Sequence, residues 1–298
     1  MNINQILEHF FEKMTEISLH QRSVGESAKS ECEKFNDYSK ILSENENFRT
    51  TGFSSHNMFY KTAISGEFKF YGRRKLTIDK HKEYVVLHLN KQYQWLLAEA
   101  YENFENFLKL SYASAGMSDH NFWHASDFGD ISLNQISEKN WEWYAARADK
   151  KKNSPKSILT QFRNKFSEEL TSVEQTNTLG IDLNFSITLI EKLRHQIVHT
   201  SGVVKNRSDF LRDVFDTCGM YNNGHPKKEN VDFIGQFFGE NEYKDTILLL
   251  DHYSNHSDLT LSQSRFNLLT NILISYADLI AEKLKTHQAN KNRAECIT

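Results

Sequence analysis

Apolar residues recur at helical spacing in several stretches of the chain. Ile6, Phe10, Phe11, Met14 and Ile17 predict a helix within 1–45, continued more weakly through Phe35, Tyr38, Ile41 and Leu42. At 100° per residue, Tyr93, Leu97, Ala100, Tyr101, Phe104, Phe107 and Leu108 fall in one arc, predicting an amphipathic helix over 92–112. Glu105 lies at the edge of that arc and Glu102 further round towards solvent. A helix over 184–199 follows, with Asn184 or Ser186 as its cap and Gly202 as its stop. The last helix, 264–285, repeats Phe266, Leu269, Leu273, Tyr276 and Ile280.

Strand-like patterns are fewer. Residues 67–71 (EFKFY) alternate, and 84–89 (YVVLHL) form an apolar run, with Gly72, Arg73 and Arg74 following the first. They predict a short hairpin within 63–90, or else 84–89 opens the next helix. Residues 46–62 read as polar and turn-rich, 209–218 as helical, 222–226 as a turn and 245–250 as a strand. The whole reads as mainly α. An up-down helical bundle is expected over 91–298, with insertions at about 116–178 and 219–262. Residues 1–90 are expected to add N-terminal helices, and the chain one or two small β-hairpins.

Composition agrees with that class. Among 298 residues there are 2 prolines and 12 glycines, so helix breakers are scarce. The 21 Phe and 12 Tyr predict an aromatic core. Net charge is −3, so a nucleic acid must be met by a local patch rather than by the whole molecule. Cys32, Cys218 and Cys296 are isolated, which suggests neither a disulfide framework nor a cysteine zinc site. The amphipathic, acid-bearing start is unlike a signal peptide, and no apolar run reaches the ~20 residues of a membrane span. A cytoplasmic protein is expected.

The chemistry concentrates in 191–202 (EKLRHQIVHTSG). On a helical wheel Ile187, Ile190, Leu193, Ile197 and Val198 form an apolar sector, and Arg194 projects into it. A guanidinium there needs a carboxylate or a phosphate, and Glu105 on the earlier helix is the expected partner. His199 sits near the helix end, where a histidine can change charge near neutral pH and reach a cleft. An ordinary helix end offers the same residues: a snorkelling Arg and a His favoured by the helix dipole.

The run resembles the R-x(4–6)-H motif of the HEPN family (higher eukaryote and prokaryote nucleotide-binding domains). Arg194 and His199 stand at the motif positions, with a polar His195 directly after the Arg. Ile197 and Val198 before the His, and Thr200, Ser201 and Gly202 after it, look similar too. Residues 99–110 (EAYENFENFLKL) resemble the family's preceding core helix, and 264–285 its closing one. The resemblance implies a HEPN-like four-helix bundle, commonly a homodimer, and in many members a metal-independent endoribonuclease. Such members act in toxin–antitoxin, phage-defence or RNA-processing settings, with an antitoxin or other regulatory protein as partner. His199 would exchange a proton with the ribose 2′-hydroxyl, Arg194 would stabilise phosphate charge, and His195 would orient the substrate, with Thr200 and Glu105 in support. No cofactor is implied. Members controlled by AMP transfer carry Tyr two positions after the motif His, where this chain has Ser201, so that control is not expected. Other members bind RNA or a protein without cleaving, and that alternative stays open.

Glu191, His195 and His199 also share a helix face at metal-ligand spacing, and 120/124 and 252/256 repeat the HxxxH spacing. No cysteine or HExxH motif joins them, and no metal is assigned. Arg147, Lys150, Lys151, Lys152 and Lys156 follow Trp141, Trp143 and Tyr144, with Arg163 and Lys165 beyond. Cations beside aromatics make this stretch the expected RNA-binding surface, although a solvated helix face reads the same way. Arg73, Arg74 and Lys75 on the expected hairpin offer a smaller version of that pattern.

Overall fold

The structure is a computed structural model describing residues 1–44, 53–221, 225–256 and 259–295. Among these the chain is mainly helical. Its elements run α1 (Ile3–Ser43), β1 (Phe53–Lys61), β2 (Phe68–Thr77) and α2 (Ile78–Ser118), then five short helices. These are α3 (Ala125–Phe128), α4 (Leu133–Ile136), α5 (Trp141–Asp149), α6 (Lys156–Phe166) and α7 (Glu168–Gln175). After them come α8 (Leu183–Thr200), α9 (Arg207–Cys218), α10 (Lys228–Gly235), β3 (Asp251–His256), β4 (Leu259–Ser264) and α11 (Arg265–Glu295). The chain divides into two compact units, one of Met1–Ser18 with Gln94–Thr298 and one of Leu19–Tyr93. Residues 1–18 thus fall with the large unit, where Ile3, Ile6, Leu7, Phe10, Met14 and Ile17 are all buried.

Four helices build the core of the large unit, and paired contacts give their directions. Arg194 of α8 meets Glu102 of α2, while Gly202, eight residues on, meets Gln94, eight residues back. These two helices therefore run antiparallel. The Phe104 and Tyr276 rings lie 6.2 Å apart, and Gln288 of α11 donates to Ser118, so α2 and α11 advance together. Phe10 of α1 packs on Phe104 and Phe107, and Lys13 lies in the field of Glu99, which makes α1 antiparallel to α2. The result is an up-down bundle, in keeping with the apolar spacing of its four helices.

The stretch 116–178 adds a second aromatic cluster. Trp123 stacks on Tyr112 at 5.0 Å and donates its Nε1–H to the Tyr112 carbonyl. Phe122, Phe162 and Phe166 are buried beside them. Below lies a polar knot between four helices. Arg163 Nε (α6) reaches both Glu174 oxygens (α7) at 2.9 and 3.0 Å, and its Nη2 reaches Asn184 Oδ1 (α8) at 3.0 Å. The Tyr276 hydroxyl (α11) donates to Glu174. Asn184 thus serves the knot, and Asp182 caps α8 by accepting from the Phe185 amide at 2.8 Å.

Two strand expectations are corrected. β2 covers most of the strand expected at 67–71 but pairs with β1, from the stretch read as polar and turn-rich, while 84–89 lies inside α2, the other reading of that run. β1 is polar at several positions and its described residues are exposed, so burial imposes no alternation there for a pattern to reveal. Residues 245–250 form bridges rather than a strand, Thr246 with Val203 and Ile247 with Phe238, and the second hairpin lies just beyond in β3 and β4. The turn expected at 222–226 begins outside the described residues. In the small unit the Phe35 and His81 rings stack at 4.9 Å, and Gln21 donates to the Tyr93 hydroxyl at 2.9 Å. Among the described residues no helix is long and apolar enough to cross a membrane.

Candidate functional site

The candidate residues lie on the last two turns of α8, and the helix's own packing fixes them. Leu193 and Ile197 are buried in the bundle, which turns His195 and His199 outward. Four residues apart, the two imidazoles lie on one face with ring centroids 4.5 Å apart. Val198 belongs to the expected apolar sector but is exposed, because the buried sector ends at Ile197.

Arg194 is half-buried between these faces. Its Nη2 pairs with Glu102 Oε1 at 3.0 Å, which corrects the expected Glu105 pairing. Glu102 reaches the guanidinium from the more solvent-facing side of α2. Glu105, one turn further along, is more enclosed and feels Arg194 through space. Burial raises the Glu105 carboxyl above the ordinary carboxylate range, and Arg194 and Lys109 offset part of that. Beneath them the Tyr101 hydroxyl and Arg194 Nε are buried and make no hydrogen bond among the described residues. Burial, with Glu191 and Glu105 adding to it, holds the Tyr101 phenol well above its usual range.

This charge pattern has a testable sign. A carboxyl with a raised folded-state pKa binds its proton more tightly in the folded than in the unfolded chain. Stability therefore falls as pH rises from the ordinary carboxylate value, about 4.3, through the raised one, and stays lower above it. Glu105→Gln should flatten that part of the profile and gain stability above it, read as urea midpoints between about pH 4 and 7.

The end of α8 is clamped. Ser201 takes the left-handed conformation, and Gly202 follows with φ +77°. The Gly202 carbonyl accepts from the Ile247 amide at 2.8 Å, and Gln94 donates to the Ile247 carbonyl at 2.7 Å. A Cβ on Gly202 would stand 2.5 Å from Gln94 Nε2. Gly202→Ala should thus cost about 1–3 kcal/mol, measured by urea unfolding. Thr200 belongs to this clamp rather than to the histidine face. Its hydroxyl lies 2.7 Å from the Gln196 carbonyl and 2.6 Å from the Val203 carbonyl.

Among the described residues no group of three or more His, Cys, Asp or Glu side chains could hold a metal ion, Glu191, His195 and His199 included. His124 caps α3, and His252 lies 3.2 Å from Arg265 Nη2.

The basic stretch divides in two. Arg147 donates to the Asp127 carbonyl at 2.9 Å, and Lys151 pairs with the Asp127 carboxylate at 2.6 Å while lying over the Tyr112 ring. Arg163 is committed to the polar knot, and Lys165 to the Asn121 carbonyl. Lys150, Lys152 and Lys156 remain exposed. Lys150 adjoins Asp149, which pairs with Lys109 of α2 at 2.8 Å. Lys109 lies two turns, about 10 Å, along α2 from Glu102.

The chain matches no family profile, no curated protein and no solved structure. The site therefore rests on its own geometry. Sequence reasoning missed Glu102 and the Gln94–Gly202–Ile247 clamp. The first carried a signal, because Glu102 and Glu105 are one turn apart and both can face one arginine. The second joins residues too distant in sequence for any local pattern to connect.

Proposed function

We propose that the chain is a HEPN-like, metal-independent endoribonuclease that cuts single-stranded RNA through Arg194, His195 and His199. The observation that carries this reading is the outward-facing His195–His199 pair, on the same two helical turns as the half-buried Arg194 guanidinium. RNA supplies its own nucleophile, so the protein must move protons and stabilise charge. His199 takes the proton of a ribose 2′-hydroxyl as that oxygen attacks the adjacent phosphorus. The bond from phosphorus to the 5′-oxygen breaks, and that oxygen takes up a proton. A 2′,3′-cyclic phosphate and a 5′-hydroxyl result. Arg194 meets the charge on the non-bridging oxygens, and His195 orients the phosphate. The exposed Lys150, Lys152 and Lys156 supply cations for the flanking strand. Pairing of two copies, a cytoplasmic setting, and a toxin–antitoxin or phage-defence role with a regulatory partner belong to the same proposal.

One observation favours a second reading. Glu102 already neutralises Arg194, as suits a non-catalytic HEPN-like module that binds RNA or a protein. Incubating the purified chain with single-stranded RNA in EDTA separates the two. Cyclic-phosphate ends that vanish in His199→Ala support cleavage, and bound but intact RNA supports the module.

A further inference from the structure

The β1–β2 hairpin exposes what a soluble chain ordinarily covers. The Cα register, with a bulge beside Met58 and Phe59, sorts its side chains onto two faces. One face carries Phe59 opposite Phe70, Lys61 opposite Phe68, and Arg73 opposite Asn57, with Lys75 two residues beyond Arg73. Phe59, Phe68 and Phe70 are 58%, 75% and 53% exposed. The Phe59 and Phe70 rings meet edge-on at 5.6 Å, and Lys61 Nζ lies over the Phe68 ring at 6.0 Å. The opposite face carries Met58, Tyr60, Tyr71 and Lys69, and its Arg74 is engaged by Tyr84.

We infer that the Phe59–Phe68–Phe70 face of this hairpin is a binding surface for single-stranded RNA. The three rings cluster at one end of this face, with Lys61 beside Phe68 and the exposed Arg73 and Lys75 continuing along the face beyond Phe70, and no acid interrupts them. Neighbouring same-face residues on one strand are about 7 Å apart, so successive bases can stack on successive rings while phosphates meet Lys61, Arg73 and Lys75. Charge decides the occupant. Residues 53–77 hold five cations and one acid in a chain of net charge −3. Lysine is depleted at the centre of protein–protein interfaces, whereas stacking rings with neighbouring cations are what an unpaired strand requires. The inference shares with the proposed function its choice of RNA as ligand, and it uses none of Arg194, His195 or His199.

The test is fluorescence anisotropy of a labelled twelve-nucleotide oligouridylate with the full chain carrying His199→Ala, so that cleavage does not enter. Phe59→Ala with Phe70→Ala should weaken binding at least about tenfold. Lys61→Gln, Arg73→Gln and Lys75→Gln together leave every ring in place. They should lower the slope of log affinity against log salt by about 2, since each phosphate contact on a single strand contributes about 0.7. Tyr60→Ala with Lys69→Gln, on the opposite face, should leave binding within about twofold. Unchanged affinity in both Phe59-face variants, equal loss from either face, or no binding by the parent chain overturns the inference. Cleavage by the His199-containing chain that is indifferent to the hairpin variants overturns it too, and leaves the nuclease reading standing. Hairpin-dependent binding without cleavage does the reverse.

Discussion

Glu174→Ala should destabilise the fold by about 3–5 kcal/mol, measured by urea unfolding. Glu174 is almost wholly buried and holds the Arg163 guanidinium through both oxygens. Removing the carboxylate strands a cation among four helices and also takes the acceptor from the Tyr276 hydroxyl. Asn184 Oδ1 and the Tyr276 hydroxyl still accept from Arg163, but neutral acceptors cannot replace a carboxylate's charge. The size of the loss comes from what remains unpaired, not from the strength of the pair. A double change, Arg163→Met with Glu174→Leu, should therefore recover most of it. If the single variant unfolds at the parent's urea midpoint, the knot contributes nothing and this account fails.

On the proposed function, His199→Ala should lower single-turnover RNA cleavage by about 10²–10⁴ with little change in thermal midpoint. The split between activity and stability is the informative part. His199 is exposed, so truncation leaves nothing buried and unsatisfied. Arg194→Ala should also reduce cleavage, by about 10²–10³, the scale for losing one donor to a charged transition state. It frees Glu102, whose side chain is 60% exposed and can be hydrated, so its structural cost should be small as well. A His199→Ala protein that cuts at the parent rate would remove this histidine from the chemistry.

The bundle was legible because its helices bury one stripe each. Phe104, Leu108 and Tyr276 could be placed by spacing alone, as could the stop at Gly202, whose positive φ no other residue adopts as easily. Of the first hairpin, β2 was legible in the alternation of 67–71, whereas β1 was not, since it is polar at several positions and its described residues are exposed, which leaves no period to read. At the site, the sequence placed Arg194, His195 and His199 on one helix but assigned the arginine to the wrong carboxylate. The wheel ranks residues by angle, whereas a guanidinium on a long stem reaches past the nearest angle to the exposed Glu102. Arg147, Lys151 and Arg163 looked like surface cations because type and spacing cannot reveal a partner such as Asp127 or Glu174. Lys150, Lys152 and Lys156 fit that reading because nothing folds over them.

The clamp at the end of α8 also sets when the site comes into being. Gln94 and Ile247 are 153 residues apart, and Gly202 is held between them. Closing so long a segment is entropically costly and comes after local helices have formed. A chain still being synthesised lacks this contact until Ile247 has emerged, seconds after α8 itself at about 5–20 residues per second. The histidine-bearing turn is then present on the nascent polypeptide without the anchor that holds it in place.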